Sequence, residues 1–187
     1  MKYRGAGLFV VLMGLAFGAS AGNLDVNLGS DAAQVNYSAN LTPSGLEGGL
    51  GYLHHTDRVD VANLGLGLVG NASPVGSPLL FGVGGKLLFI NPVNSSYNGV
   101  AVGLGAHFHY VWPSYNRFAL GGEIYYAPSI VSFNQADRYL EFSVRAGYSV
   151  LRNAEVYIGY RHVSAAFTGT TSLTLDNTFM AGLSLTF

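Results

Sequence analysis

The sequence of 187 residues predicts an all-β protein, a single antiparallel up-and-down β-barrel that crosses a membrane with about ten strands, eight also being possible. Two observations predict this class. Apolar residues make up 49% of the chain and charged residues only 10%, which is too few charges for an ordinary soluble surface. Alternating segments also recur between clusters of Gly, Pro, Asn, Ser and Asp, as they do in membrane barrels.

The amino-terminal residues predict a cleaved signal peptide. Two basic residues precede an apolar run over residues 5–17, and residues 19–21 (Ala-Ser-Ala) have the small-x-small pattern of a cleavage site. The run is too short to span a bilayer as a helix, which takes about 20 residues. We therefore expect residues 1–21 to be a signal peptide and residues 22–187 to form the barrel.

Ten later segments have the alternation of apolar and polar residues that gives a strand one apolar face. Short and long connections mostly alternate along the chain, which is typical of barrels with short periplasmic turns and longer external loops. Both termini are therefore expected on the periplasmic side. The predicted strands are residues 23–30, 33–41, 45–54, 60–69, 79–90, 99–111, 117–127, 138–150, 154–167 and 176–187.

The last predicted strand indicates a location. Between Thr178 and Phe187 the alternation is strict, and the chain ends on an aromatic residue, as outer-membrane barrels usually do. Its backbone must still be paired, which closing against the first strand would achieve. We therefore expect a protein of the cell outer membrane that contacts its lipids, lipopolysaccharide included, and whose Phe187 is recognised by the barrel-assembly machinery.

Nearly all charged residues within the predicted strands fall on the face opposite the apolar one. In a membrane barrel that face lines the lumen, where charges persist only when they are paired. Four carboxylates and three bases are close to balanced, which favours a closed lumen filled by a polar and charged network. The expected members of this network are Glu47, Lys86, Glu123, Glu141, Arg145, Glu155 and Arg161.

Several other classes of function are disfavoured by composition. Without the signal peptide, seven basic side chains remain against ten acidic ones, and no Lys/Arg cluster is present to bind nucleic acid. The absence of cysteine excludes a disulfide scaffold and thiol catalysis. His107 and His109 share the inward face, but no nearby acidic residues complete a metal site. We expect no metal and no cofactor.

His162, Ser164 and Asp176 are weak candidates for catalysis. A His-x-Ser sequence on a late strand, followed by an acid, is similar to the layout of outer-membrane lipid A deacylases, and alternation places the histidine and serine on the lipid face. However, Ala165 stands where that family has asparagine, and the acid is aspartate rather than glutamate. A barrel without enzymatic activity is therefore favoured. A narrow channel for ions or small solutes and a lipid A deacylase-like hydrolase remain the alternatives.

Five short stretches rich in Gly and Tyr follow one another along the predicted strands. They are residues 61–67 (Val-Ala-Asn-Leu-Gly-Leu-Gly), 82–86 (Gly-Val-Gly-Gly-Lys), 122–129 (Gly-Glu-Ile-Tyr-Tyr-Ala-Pro-Ser), 146–148 (Ala-Gly-Tyr) and 159–161 (Gly-Tyr-Arg). In this order they resemble the YfaZ family of small Gram-negative outer-membrane proteins, over essentially the whole mature chain. The resemblance implies a signal peptide and a barrel, and it transfers no catalytic residue.

Overall fold

The computed structural model is a closed antiparallel β-barrel, and it describes residues 22–72, 79–93, 98–169 and 172–187. The predicted signal peptide, residues 1–21, lies outside the described residues. No helix in the described part of the chain is long and apolar enough to cross a membrane.

Ten of the eleven strands in the described ranges form the barrel wall, each antiparallel to its neighbours. The other one, β8, has three residues and pairs only with one end of β6. The strands are β1 (Gly22–Leu28), β2 (Ala32–Asn40), β3 (Leu46–His55), β4 (Val59–Asn71), β5 (Leu79–Pro92), β6 (Gly99–Trp112), β7 (Tyr115–Ala127), β8 (Ser132–Asn134), β9 (Ala136–Leu151), β10 (Ala154–Phe167) and β11 (Leu173–Thr186).

The first and last strands close the barrel, as the alternating sequence of the last segment predicted. β1 pairs with β11 from Asn23 opposite Thr186 to Leu28 opposite Ala181. The two ends of the described chain are also joined, because the Gly22 N–H donates to the Phe187 carbonyl at 2.7 Å and the Phe187 N–H donates back at 2.9 Å. Neither terminal strand is therefore left with an unpaired edge.

The two ends of the barrel differ. The terminal end holds Gly22 and Phe187 together with the turns at residues 41–45, 113–114 and 152–153. The opposite end, here called the loop end, holds the connection in which a 3₁₀ turn (Ser129–Val131) and β8 follow β7. This turn and β8 were not predicted by the sequence, since three-residue elements are too short to show a period.

The outer face of the wall is apolar, as the alternation predicted. Large apolar side chains stand exposed at alternate positions on neighbouring strands, where a soluble protein would place polar ones. Examples from seven strands are Leu64, Leu66, Leu68, Phe81, Val83, Phe89, Leu104, Ile124, Phe142, Val156, Ile158, Phe179 and Leu183.

Glycines permit unusually close contact between strands on the lumen side. Gly84 lies opposite Gly67 on one side and opposite Gly105 on the other. A Cβ atom at Gly84 would stand 2.5 Å from the Leu66 carbonyl oxygen, and one at Gly105 would stand 2.1 Å from the Ile124 carbonyl oxygen. Because backbone atoms cannot yield as a flexible side chain does, this part of the wall requires glycine.

Candidate functional site: the barrel lumen

Apolar side chains fill the lumen toward the loop end. They come from nine of the ten wall strands and form one contiguous cluster, in which no member exposes more than 6% of its surface. This cluster, called the apolar layer, consists of Ala32, Leu53, Val59, Val61, Leu88, Ile90, Ala101, Ala127, Tyr139, Val163, Ala165, Phe167 and Leu175. Sequence reasoning missed it, although residues 87–90 (Leu-Leu-Phe-Ile) interrupt the alternation with a continuous apolar run, the signal of a strand buried on both faces.

Next to the apolar layer, Lys86 stands between two carboxylates. Its Nζ donates to Glu123 Oε2 at 3.0 Å and to Glu141 Oε2 at 3.4 Å. The same Nζ lies 3.8 Å from the centroid of the Tyr125 ring, within the range of a cation–π contact. The Tyr139 hydroxyl donates to Glu141 Oε2 at 3.2 Å, which joins this cluster to the apolar layer.

Arg161 forms a second polar cluster and is fully buried. Its Nε donates to Asp176 Oδ2 at 2.6 Å, and its Nη1 donates to Asn27 Oδ1 at 2.6 Å and to Gln34 Oε1 at 2.5 Å. Four strands, β1, β2, β10 and β11, thus meet at one guanidinium. The planar fork of arginine suits such convergence, because its donors point in fixed directions.

Arg145 carries the third cluster, in which its Nη1 donates to Asp25 Oδ2 at 2.6 Å. The Tyr157 hydroxyl donates to Asp25 Oδ1 at 2.7 Å, and the guanidinium lies 4.8 Å from the Tyr157 ring centroid. Sequence reasoning missed Asp25. The polar alternation of Asn23, Asp25 and Asn27 on the short β1 was the signal that could have found it.

The remainder of the lumen, toward the terminal end, is a cavity of about 1230 Å³. Glycines, among them Gly65, Gly67 and Gly84, line part of it. Two of its histidines, neighbours on the inward face of β6, reach in different directions. His107 Nε2 lies 3.9 Å from Glu47 Oε1 on β3, and His109 Nε2 lies 3.1 Å from Glu155 Oε2 on β10.

The structure thus places each residue of the expected lumen network in an ion pair or a His–Glu contact. The clusters of Arg161 and Arg145 are joined, because Asn27 Nδ2 donates to Asp25 Oδ1 at 3.4 Å. Two aspartates, Asp25 and Asp176, complete the clusters of Arg145 and Arg161. Within the described ranges, no three His, Asp or Glu side chains are placed to share a metal ion.

The candidate catalytic residues are not brought together. Asp176 is buried and bonded to Arg161 in the lumen, whereas His162 contacts Asn177, with Nδ1 3.4 Å from Oδ1. Ser164 lies opposite Thr174 beyond a register shift. Because successive side chains of a strand point to opposite faces, the acid and the His162/Ser164 pair lie on different sides of the wall. The arrangement is not that of a catalytic triad.

Comparison with known proteins identifies the family. The model of the family described as "YfaZ precursor" matches residues 1–187. The chain belongs to the YfaZ family. A relative, Outer membrane protein YfaZ of Escherichia coli (strain K12), is 33% identical over 142 residues, which cover 76% of this chain and 68% of the relative. This YfaZ-family barrel is a protein of the outer membrane.

Solved structures similar to this YfaZ-family barrel include two described as porins. One is described as "KdgM porin", with a TM-score of 0.47, 10% identity and coverage of 89% of this chain and 99% of that chain. The other, described as "NanC porin structure in rhombohedral crystal form", has a TM-score of 0.44, 10% identity and the same two coverages.

Proposed function

We propose that this YfaZ-family protein is a non-enzymatic outer-membrane barrel whose lumen is closed to ions and solutes. The observation that carries the proposal is the apolar layer. Side chains of nine strands meet there across the lumen with almost no accessible surface. An ion passing this layer would lose its hydration and gain no polar partner, which is energetically prohibitive.

The charged clusters support the same proposal as structural elements of the lumen. Lys86, Arg145 and Arg161 each have a carboxylate partner at 3.0 Å or less. Lys86 lies two strands from Glu123 and Arg145 lies three strands from Asp25, so these two pairs connect strands that are not neighbours. Arg161 and Asp176 join the adjacent strands β10 and β11. Their charges are thereby neutralised within the wall rather than offered to a passing ion.

Conductance in planar bilayers tests this proposal against a narrow channel. Heat-dependent migration on an SDS gel first verifies that the protein is folded. The folded wild type should give no conductance steps. The double variant Tyr139→Ala/Phe167→Ala, which removes the two largest side chains of the apolar layer, should give brief openings. Phe142→Ala, on the lipid face of the same strand as Tyr139, is the matched control and should stay silent. Regular steps in the wild type would establish a channel.

We also propose that the terminal strand directs assembly and that the barrel contacts outer-membrane lipids, lipopolysaccharide included, through its apolar face. Phe187 is 57% exposed and its ring stacks on Tyr37 with centroids 6.2 Å apart, so it is available at the end of the wall. Phe187→Ala should reduce the amount of protein assembled in the outer membrane. Phe179→Ala, which removes an exposed aromatic side chain of β11, should assemble like the wild type.

A further inference from the structure

We propose that the cavity at the terminal end binds a small organic cation with two or more amino groups, a linear diamine or polyamine. The inference rests on the proposed function in one respect, since a lumen closed by the apolar layer makes this cavity a blind pocket rather than part of a passage. At about 1230 Å³ it is large enough for such a molecule, since ligand pockets typically hold about 300–1000 Å³.

The charge of the wall favours a cation. Among the described lining residues, the carboxylates Asp25, Glu47, Glu123 and Glu155 stand against the cations Lys86, Arg145 and Arg152. Lys86 is shared with a further carboxylate, Glu141, which lies behind the lining. Counted over Asp, Glu, Lys and Arg alone, the site therefore carries more negative than positive charge, and a bound ammonium group would reduce the imbalance.

Two carboxylates are held by histidines rather than by a lysine or an arginine. Asp25 and Glu123 are each engaged by a cation of the wall. Glu47 and Glu155, in contrast, have histidines as their ion-pair partners among the described residues, and their side chains retain 26% and 13% exposure. Glu47 Oε1 lies 3.9 Å from His107 Nε2, which is beyond hydrogen-bond distance, and His109 contacts Glu155 through Oε2, so both carboxylates retain oxygen atoms that can accept from an ammonium group.

The positions of the two carboxylates favour a ligand with two charges. Glu47 is on β3 and Glu155 is on β10, separated around the wall by β2, β1 and β11. Both face the same cavity, and the histidines that reach them come from β6 on a third side. Two anchors on different walls suit a linear molecule that has an amino group at each end.

Isothermal titration of the folded, detergent-solubilised protein with spermidine and putrescine tests the proposal, with glutarate as the dianionic probe. Saturable binding of at least one amine and none of glutarate is expected. Glu47→Gln and Glu155→Gln should each weaken binding by about tenfold or more, because each removes a charged hydrogen-bond partner. Asp57→Asn, an exposed residue at the loop end, is the control and should bind as the wild type does.

Ser38→Phe provides a second variant, which fills the cavity without altering a charge and should also abolish binding. Heat-dependent gel migration verifies folding of every variant. The proposal is overturned if neither amine saturates the wild type, if glutarate binds equally well, or if both glutamine variants bind as the wild type does. Conductance steps in the wild type would contradict the closed lumen but not the amine site. A folded wild type that gives no conductance steps and binds neither amine would contradict the amine site but not the closed lumen.

Discussion

Arg161 and Asp176 form an ion pair inside the lumen, in which Nε lies 2.6 Å from Oδ2 and neither residue exposes more than 1% of its surface. Asp176→Asn should lower the free energy of unfolding by about 3–5 kcal/mol, because it leaves a guanidinium buried without a counter-ion. Urea unfolding in detergent measures the change. The double variant Arg161→Met/Asp176→Asn should lose less than the sum of the two single variants.

An exposed pair on the barrel surface provides the control. Arg138 Nε lies 3.6 Å from Asp137 Oδ2, and both side chains are largely accessible. Because solvent screens such pairs, Asp137→Asn should cost less than about 1 kcal/mol. Equal losses for the two asparagine variants would show that the buried pair has no special structural role.

The glycine contacts of the wall lead to a second prediction. Gly105→Ala should destabilise the barrel by about 1–3 kcal/mol or more, because its Cβ would meet the Ile124 carbonyl oxygen at 2.1 Å. Gly65→Ala is the matched control, since the nearest atoms to its Cβ lie 3.9 Å away. Urea midpoints and heat-dependent migration compare the two variants. If Gly105→Ala is as stable as Gly65→Ala, close approach of the strands is not what requires glycine.

Lys86 provides a third prediction, since one ammonium group serves both Glu123 and Glu141. Lys86→Met should cost about 3–5 kcal/mol, because it leaves the buried carboxylate of Glu141 and the part-buried carboxylate of Glu123 without their shared cation. Adding Glu123→Gln and Glu141→Gln should recover part of this loss. Arg117→Met, at an exposed position, should change stability by less than about 0.5 kcal/mol. A triple variant no more stable than Lys86→Met would indicate that charge pairing is not the cause.

The placement of His162 and Ser164 gives a fourth prediction, concerning chemistry. Lipid A from cells that express the wild type should have the same acylation as lipid A from cells that express Ser164→Ala or no protein. The reason is that Asp176, the only acid proposed for this site, is held by Arg161 on the other face of the wall. Mass spectrometry of lipid A decides. If lipid A lacks an acyl chain only in cells that express the wild type, the protein is a lipid A hydrolase after all.

The sequence predicted the wall far better than the contents of the lumen. All ten wall strands were predicted, because alternation is read directly from a chain that has lipid on one face and a lumen on the other. The same alternation predicted an inward face for the seven charged residues. It could not pair them, since partners such as Lys86 and Glu141 are 55 positions apart in the chain, and their contact depends on strand order and register.

Two features escaped prediction for physical reasons. The apolar layer lies in strands with apolar residues on both faces, where alternation disappears and the lumen-facing residues resemble the lipid-facing ones. Asp176 shares the inward face of Thr178 and Met180, but its pairing with Arg161 depends on the register of β10 against β11, which alternation does not specify. This register shifts between Val163 and Ser164. At this irregularity the successive residues Leu175 and Asp176 are both buried, which strict alternation does not allow.

Accessibility of single cysteines to a small maleimide tests most directly whether the lumen is closed at the apolar layer and open at the terminal end. The chain contains no cysteine, so Ser38→Cys in the cavity and Ala165→Cys in the apolar layer each provide one thiol. Mass spectrometry of the folded protein should find complete modification at position 38 while position 165 stays unmodified until urea is added. Modification of both thiols at similar rates in the folded barrel would contradict the closed lumen.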